Sequence, residues 1–149
     1  GITDAGVRIG YCYENGIGVE VNQIVAAKWY QKEADAGNIV AAYRLGTLFH
    51  EGSGVPCNLA RARELYEIAA EQEYAPAEYQ MGCMCFYGQA GMDPIDAMIW
   101  FEKAATDGYV SAVYMIGYCY EVGRGVCQNT RQAMQYFKEA AHKGEKNAQ

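Results

Sequence analysis

Serine and histidine are nearly missing from this chain, which has two of each: Ser53, Ser111, His50 and His142. A hydroxyl nucleophile beside an imidazole base has so little to draw on that no catalytic triad can be assembled. His50 is followed by Glu51 but not by the second histidine of a zinc-hydrolase helix, which leaves it as a solvent-facing or groove residue. Basic residues number 12 against 18 acidic ones, and a net charge of −6 offers no footprint for a phosphate backbone. Nucleic acid is therefore not an expected partner. No apolar run approaches the ~18 residues of a membrane span, and the opening residues lack the pattern of a signal peptide. Membrane insertion is not expected. Asn-x-Ser/Thr sequons are missing too, which argues against a glycosylated lumenal chain.

Cysteine is present, but without a pairing pattern. Cys12, Cys57, Cys83, Cys85, Cys119 and Cys127 include no Cys-x-x-Cys pair, and no histidine stands at zinc spacing. Cys83 and Cys85, two apart on one helix, point to different faces. Free and mostly buried thiols are expected in preference to a disulfide framework or a metal site, with no metal and no cofactor. Such thiols suit a reducing, cytoplasmic setting.

Glycine and tyrosine are plentiful, and the glycines are periodic. Gly10, Gly46, Gly82 and Gly117 each follow an aliphatic residue, are spaced 36, 36 and 35 residues apart, and precede a further glycine by six: Gly16, Gly52, Gly88 and Gly123. A second register runs through Ala26, Ala62, Ala97 and Ala133, each followed three residues on by a large apolar side chain, Trp29, Leu65, Trp100 or Tyr136. A period of this size defines a solenoid, in which length counts units, and solenoids are usually binding surfaces. There are four units.

In the first unit Ala5, Ile9 and Tyr13 recur every four residues and form one helical stripe, matched by Ala41, Leu45, Phe49 and by Ala112, Ile116, Tyr120. Gly10 lies inside this helix, where glycine costs ~1 kcal/mol relative to alanine; its return in every unit predicts a helix contact too close for a methyl group. The helix ends at Gly16, a natural left-handed cap. The stretch from Gly16 to Val19, repeated at Gly52 to Val55 and Gly123 to Val126, follows a helix and has no P-loop lysine, so it reads as a turn. Asn22, Asn58, Asp93 and Asn129 stand four residues before the repeat alanine as N-caps, with Pro94 in the favoured first-turn position. The second helix passes Trp29 and Tyr30 and stops at Gly37, with Gly108 and Gly144 as counterparts. Small Gly10 and Ala26 with large Tyr13 and Trp29 supply the interlock of an antiparallel hairpin. Helices are predicted at 3–15, 23–36, 39–51, 59–72, 75–87, 94–107, 110–122 and 130–143.

Read together, Ala-x-x-x-(Leu/Ile/Met)-Gly, then Gly-x-Gly-Val, then Ala-x-x-Trp-(Tyr/Phe)-x-x-x-Ala resembles the Sel-one-like repeat, a relative of the tetratricopeptide repeat with a longer loop between its helices. The resemblance covers the whole chain. It implies an all-α fold, a right-handed superhelical alpha-alpha solenoid of four repeats and eight helices forming one array over 1–149. The repeats fall at about 2–37, 38–73, 74–108 and 109–144. Gly1 to Ala5 and Gly144 to Ala148 keep the spacing of the internal boundaries, so 145–149 read as the start of a further repeat. The chain then reads as a segment of a longer array, whose uncapped ends could associate end to end. Unit three departs from the pattern with a loop one residue shorter and Cys85 in an aromatic position, and unit two with Leu65 for the aromatic and Glu73 for the capping glycine. Irregularity is expected between residues 73 and 93. Some secreted family members are cysteine-rich, with a pair in each repeat bridging adjacent helices, and that pattern is missing here because the second helices end without cysteine.

The resemblance implies no catalytic residue. It implies a noncatalytic protein-protein interaction scaffold or adaptor that binds a peptide or protein on its concave face, lined by the first helix of each repeat. By the same resemblance, the positions three before, one after and four after the helix glycine look inward: Val7, Tyr11, Glu14; Tyr43, Thr47, His50; Tyr79, Cys83, Phe86; Tyr114, Tyr118, Glu121. Tyr11, Phe86, Tyr114 and Tyr118 are expected to carry binding energy, and Glu14, His50 and Glu121 to set orientation and favour a basic or hydrogen-bonding ligand. Tyr43, Tyr79 and Tyr114 read equally well as packing residues of the repeat. The rival reading is an enzyme or small-molecule-binding repeat protein using the Tyr-rich groove and the thiols, which an exposed, perturbed cysteine in a pocket would favour.

Overall fold

Glycine and asparagine punctuate the chain into α-helices, and no strand occurs among the described residues, 2–148 of the computed structural model, with side chains described over 5–144. The chain divides into two compact units between Gln72 and Glu73. The first holds α1 (Ile2–Asn15), α2 (Gln23–Asp35), α3 (Ile39–Glu51) and α4 (Leu59–Glu71); the second holds α5 (Ala75–Phe86), α6 (Ala97–Thr106), α7 (Val110–Val122) and α8 (Thr130–Ala148). Within each unit every helix packs against the next, giving two stacked hairpins. The fold is an all-α solenoid of hairpin repeats.

The caps fall where the residues call for them. Asn22, Asn58 and Asn129 accept hydrogen bonds from the backbone N–H of Val25, Arg61 and Gln132 at 3.1, 3.0 and 3.1 Å, which satisfies donors that a helix start leaves open. Asn38 does the same for α3, accepting from Ala41 at 2.9 Å. Gly16, Gly52 and Gly123 then turn the chain with φ of 69, 71 and 73°, a left-handed conformation that a Cβ disfavours. The following loops share one pattern of backbone hydrogen bonds. Asn22, Asn58 and Asn129 donate back to the carbonyls of Tyr13, Phe49 and Tyr120.

The third repeat breaks this pattern, as its short loop predicts. After α5 the chain makes two 3-10 turns, Gln89–Gly91 and Pro94–Asp96, with Ala90 forced to φ 52°. Asp93 caps the second turn by accepting from Ile95 at 3.0 Å, and α6 starts only at Ala97. Glu73, standing where Gly37 and Gly108 stand in their repeats, also adopts a left-handed φ of 61°. Gly144 behaves differently from its predicted role: α8 runs through it to Ala148. A glycine permits a left-handed turn but does not impose one, and Glu139 paired with Lys143 at 2.9 Å supports the helix one turn earlier.

The hairpin interlock is real, but its large partner is not the predicted one. A Cβ placed on Gly10, Gly46, Gly82 or Gly117 would come within 2.7, 3.0, 2.5 or 2.9 Å of the rings of Tyr30, Tyr66, Phe101 and Phe137 respectively. These rings lie four residues after the repeat alanine, not three. On a helix the i+4 residue sits over residue i, so the ring shares the buried face of Ala26, Ala62, Ala97 and Ala133. Trp29, Trp100 and Tyr136 sit to one side, half-buried. Lys32 lies over the Trp29 ring at 5.2 Å, and Lys103 over Trp100 at 4.8 Å. Leu65 therefore leaves the second repeat intact, because Tyr66 holds the place that matters.

Candidate functional site

The positions three before, one after and four after each helix glycine fall on one stripe of each first helix, α1, α3, α5 or α7, by helical geometry. Their surroundings show how much of the stripe is already used. Tyr43 packs on Tyr66 with ring centroids 5.8 Å apart, Tyr79 on Phe101 at 5.9 Å and Tyr114 on Phe137 at 5.1 Å. These three tyrosines back the rings that meet the glycines, in line with their packing role. Tyr114 nevertheless remains 53% exposed. Val7 takes the matching position in α1 and joins the core around Tyr30.

Two polar members of the stripe are committed internally. The Tyr30 hydroxyl donates to Glu14 Oε1 at 2.7 Å, and burial together with this bond pushes the phenol well above its usual range. Tyr66 donates to Thr47 Oγ1 at 3.2 Å, while Thr47 donates to the Tyr43 carbonyl at 3.2 Å. His50 lies 6.3 Å from the Tyr66 ring. Glu14 is thus a structural acceptor, which leaves Glu121 as the exposed carboxylate of the stripe.

Side chains of neighbouring first helices touch within each unit. In the first, the Arg44 guanidinium covers the Tyr11 ring at 4.8 Å. In the second, Phe86 packs on Tyr118 at 5.4 Å and on Tyr87 at 5.1 Å, under the guanidinium of Arg124, which also donates to the Phe86 carbonyl. Phe86 is only 5% exposed, so it belongs to the core and not to the contact surface expected of it. The sequence pattern missed Arg44 and Arg124. Arg124 is the variable residue of a Gly-x-Gly turn, and nothing in that turn announces a ring 38 positions earlier.

Two of the stripe-side and core thiols are held in the protonated form by burial. Burial raises Cys83 above its ordinary value against an opposing bond with Tyr79, and burial pushes Cys119 up to about 11, so both are held as poor nucleophiles. Cys85 is buried, and all six cysteines are free. No group of three His, Cys, Asp or Glu side chains able to hold a metal occurs among the described residues. Nor is any helix there long and apolar enough to cross a membrane. A cleft of about 230 Å³ lies on α2, lined by Val25, Lys28, Trp29 and Lys32 and apart from the stripe.

Stacked helix hairpins, each closed by a ring on a glycine, define the α-solenoid class of tetratricopeptide-like proteins. Within it, the chain belongs to the Sel1 repeat family, whose repeat matches residues 4–38, 39–74, 75–109 and 110–145. It is similar to a Sel1 repeat protein from Oxalobacter formigenes, with 37% identity over 95% of this chain and 59% of that one, and a TM-score of 0.82. It is also similar to c5321, a protective antigen of uropathogenic Escherichia coli strains with an SLR fold, with 34% identity over 95% of this chain and 31% of that one, and a TM-score of 0.87. The chain thus spans less than two thirds of either. Cysteine-rich protein B of Helicobacter pylori shares the fold at 21% identity, over 79% of this chain and 90% of that one, with a TM-score of 0.60.

Proposed function

We propose that this chain is a noncatalytic interaction module, part of a scaffold or adaptor, that binds a protein or peptide on the stripes that its first helices carry. Repeats of this family generally mediate protein–protein interaction. One observation carries the choice of surface: in each unit side chains of successive first helices touch, Arg44 on Tyr11 and Tyr118 on Phe86, and the exposed Tyr11 and Tyr114 are held against Arg44 and Phe137. Tyr11 and Tyr114 are 39 and 53% exposed, and tyrosine gives a large contact area at low entropic cost. With Glu14 engaged and Arg44 and Arg124 alongside the rings, the surface favours an apolar or aromatic segment with polar groups of both signs over a purely basic one.

A photo-crosslinking residue tests this reading when placed at Tyr114 or Tyr118, and in separate chains at Lys28 or Ile99 on second helices. Crosslinks to one defined partner from the first pair alone are expected. Crosslinks confined to the second pair would move the binding surface to the other side of the hairpins.

A further inference from the structure

Glu78 sits in the first turn of α5 and is 3% exposed. Four residues before the helix glycine, the other repeats bury Gly6, Ala42 and Val113, none of which carries a charge. A carboxyl reaches the equivalent slot in one other repeat, where Glu33 of α2 fills the space that a Cβ on Gly6 would occupy. Glu78 is more confined still: its Oε1 is buried without a hydrogen-bond partner, and the carboxyl of Asp107, the residue that ends α6, acts on it from close by. Two neighbouring carboxyl groups can hydrogen-bond to each other only if one of them holds a proton.

We propose that Glu78 is a proton-operated latch between the start of α5 and the end of α6. Protonated, it donates to the Asp107 carboxylate and closes the hairpin. Ionised, it places a second negative charge beside Asp107 and near Glu73, with Lys103 as the opposing cation, and the carboxylate leaves the slot for water. Asp93 and Asp96 lie at the other end of this antiparallel hairpin, and Tyr109, leading into α7, faces Tyr79 at 5.0 Å. Burial first, then the Asp107 hydrogen bond and charge, raise the Glu78 carboxyl from 4.5 to about 7. Between those values the folded chain holds more protons than the unfolded one, so stability falls as pH rises and levels off above about 7. The adjoining Tyr79 is a stripe residue, so opening the latch alters the proposed interaction surface as well as the hairpin.

Urea unfolding of the whole chain between about pH 5.5 and about pH 8.5, for the wild type and Glu78→Gln, tests the latch. The amide variant keeps the shape without the titration. The wild-type folding constant is expected to drop by up to about tenfold per pH unit below about pH 7 relative to the variant. A wild-type slope equal to that of Glu78→Gln would overturn the proposal. If the variant fails to fold, carboxyl carbon NMR of the wild type decides: a Glu78 midpoint near neutrality supports the latch, and one in the ordinary carboxylate range refutes it.

Discussion

Gly82→Ala is the smallest test of the helix interlock. The new Cβ would lie 2.5, 2.6 and 3.1 Å from three ring atoms of Phe101, where ordinary van der Waals contact is 3.4–4 Å. Phe101 is fully buried and has Tyr79 packed on its ring at 5.9 Å, so the roughly 1 Å of retreat that the methyl demands has nowhere to go. Two effects oppose each other. Alanine gains ~1 kcal/mol over glycine as a helix former, while overpacking a tight core costs ~1–3 kcal/mol. The net expectation is a loss of up to ~2 kcal/mol, and more for Gly82→Leu. Gly46→Ala, with its nearest ring atoms at 3.0 Å, should lose less. Urea melts followed by circular dichroism measure the ordering, and Phe101→Leu in the Gly82→Ala background should recover part of the loss through coupling of the two sites. If Gly82→Ala raised stability by the ~1 kcal/mol typical of an exposed helix glycine, the contact would not exist.

Glu73→Gly should stabilise the fold by about 1 kcal/mol, because a residue with a Cβ is held at φ 61°; an unchanged or lower midpoint would mean the glutamate is compensated. Phe86→Ala should cost about 3–5 kcal/mol of stability in its buried site, whereas Tyr118→Ala should leave the helical signal largely intact and weaken partner binding by about 1 kcal/mol or more. Calorimetry with and without partner separates the two, and a Tyr118→Ala chain that binds normally would remove the stripe from consideration. Reductant should leave the melting midpoint unchanged, since all six cysteines are free; a large drop would reveal a disulfide.

The helices were legible because the signals that bound them are local. A capping asparagine, a left-handed glycine and an apolar stripe each act within one or two turns, and α3 and α7 fall on the residues the pattern gives. The irregularity between residues 73 and 93 was legible for the same reason, through Glu73 and the shortened loop of the third repeat. What escaped depended on direction or distance. Trp29 and Tyr30 are both large, and a one-residue step of about 100° around the helix decides which of them meets Gly10. Phe86 looked like a free aromatic because the arginine that covers it comes from the loop of the next repeat. Glu14 looked like a ligand contact because a tyrosine hydroxyl 16 residues away cannot be read as its partner from spacing alone.

The two tryptophans give the solenoid a built-in optical label. Trp29 belongs to α2 in the first unit and Trp100 to α6 in the second, each half-buried beneath a lysine three residues on. An indole in that position changes its emission when the helix beneath it loses its packing, and each reports mainly on its own hairpin. Replacing either one by phenylalanine therefore leaves a single indole, which emits to the red of the 13 tyrosines, for one half of the chain. With the two single-tryptophan proteins, the order in which the halves melt can be followed by colour without any attached dye. An array whose repeats lean only on their neighbours can come apart in steps, and here each step would have its own channel.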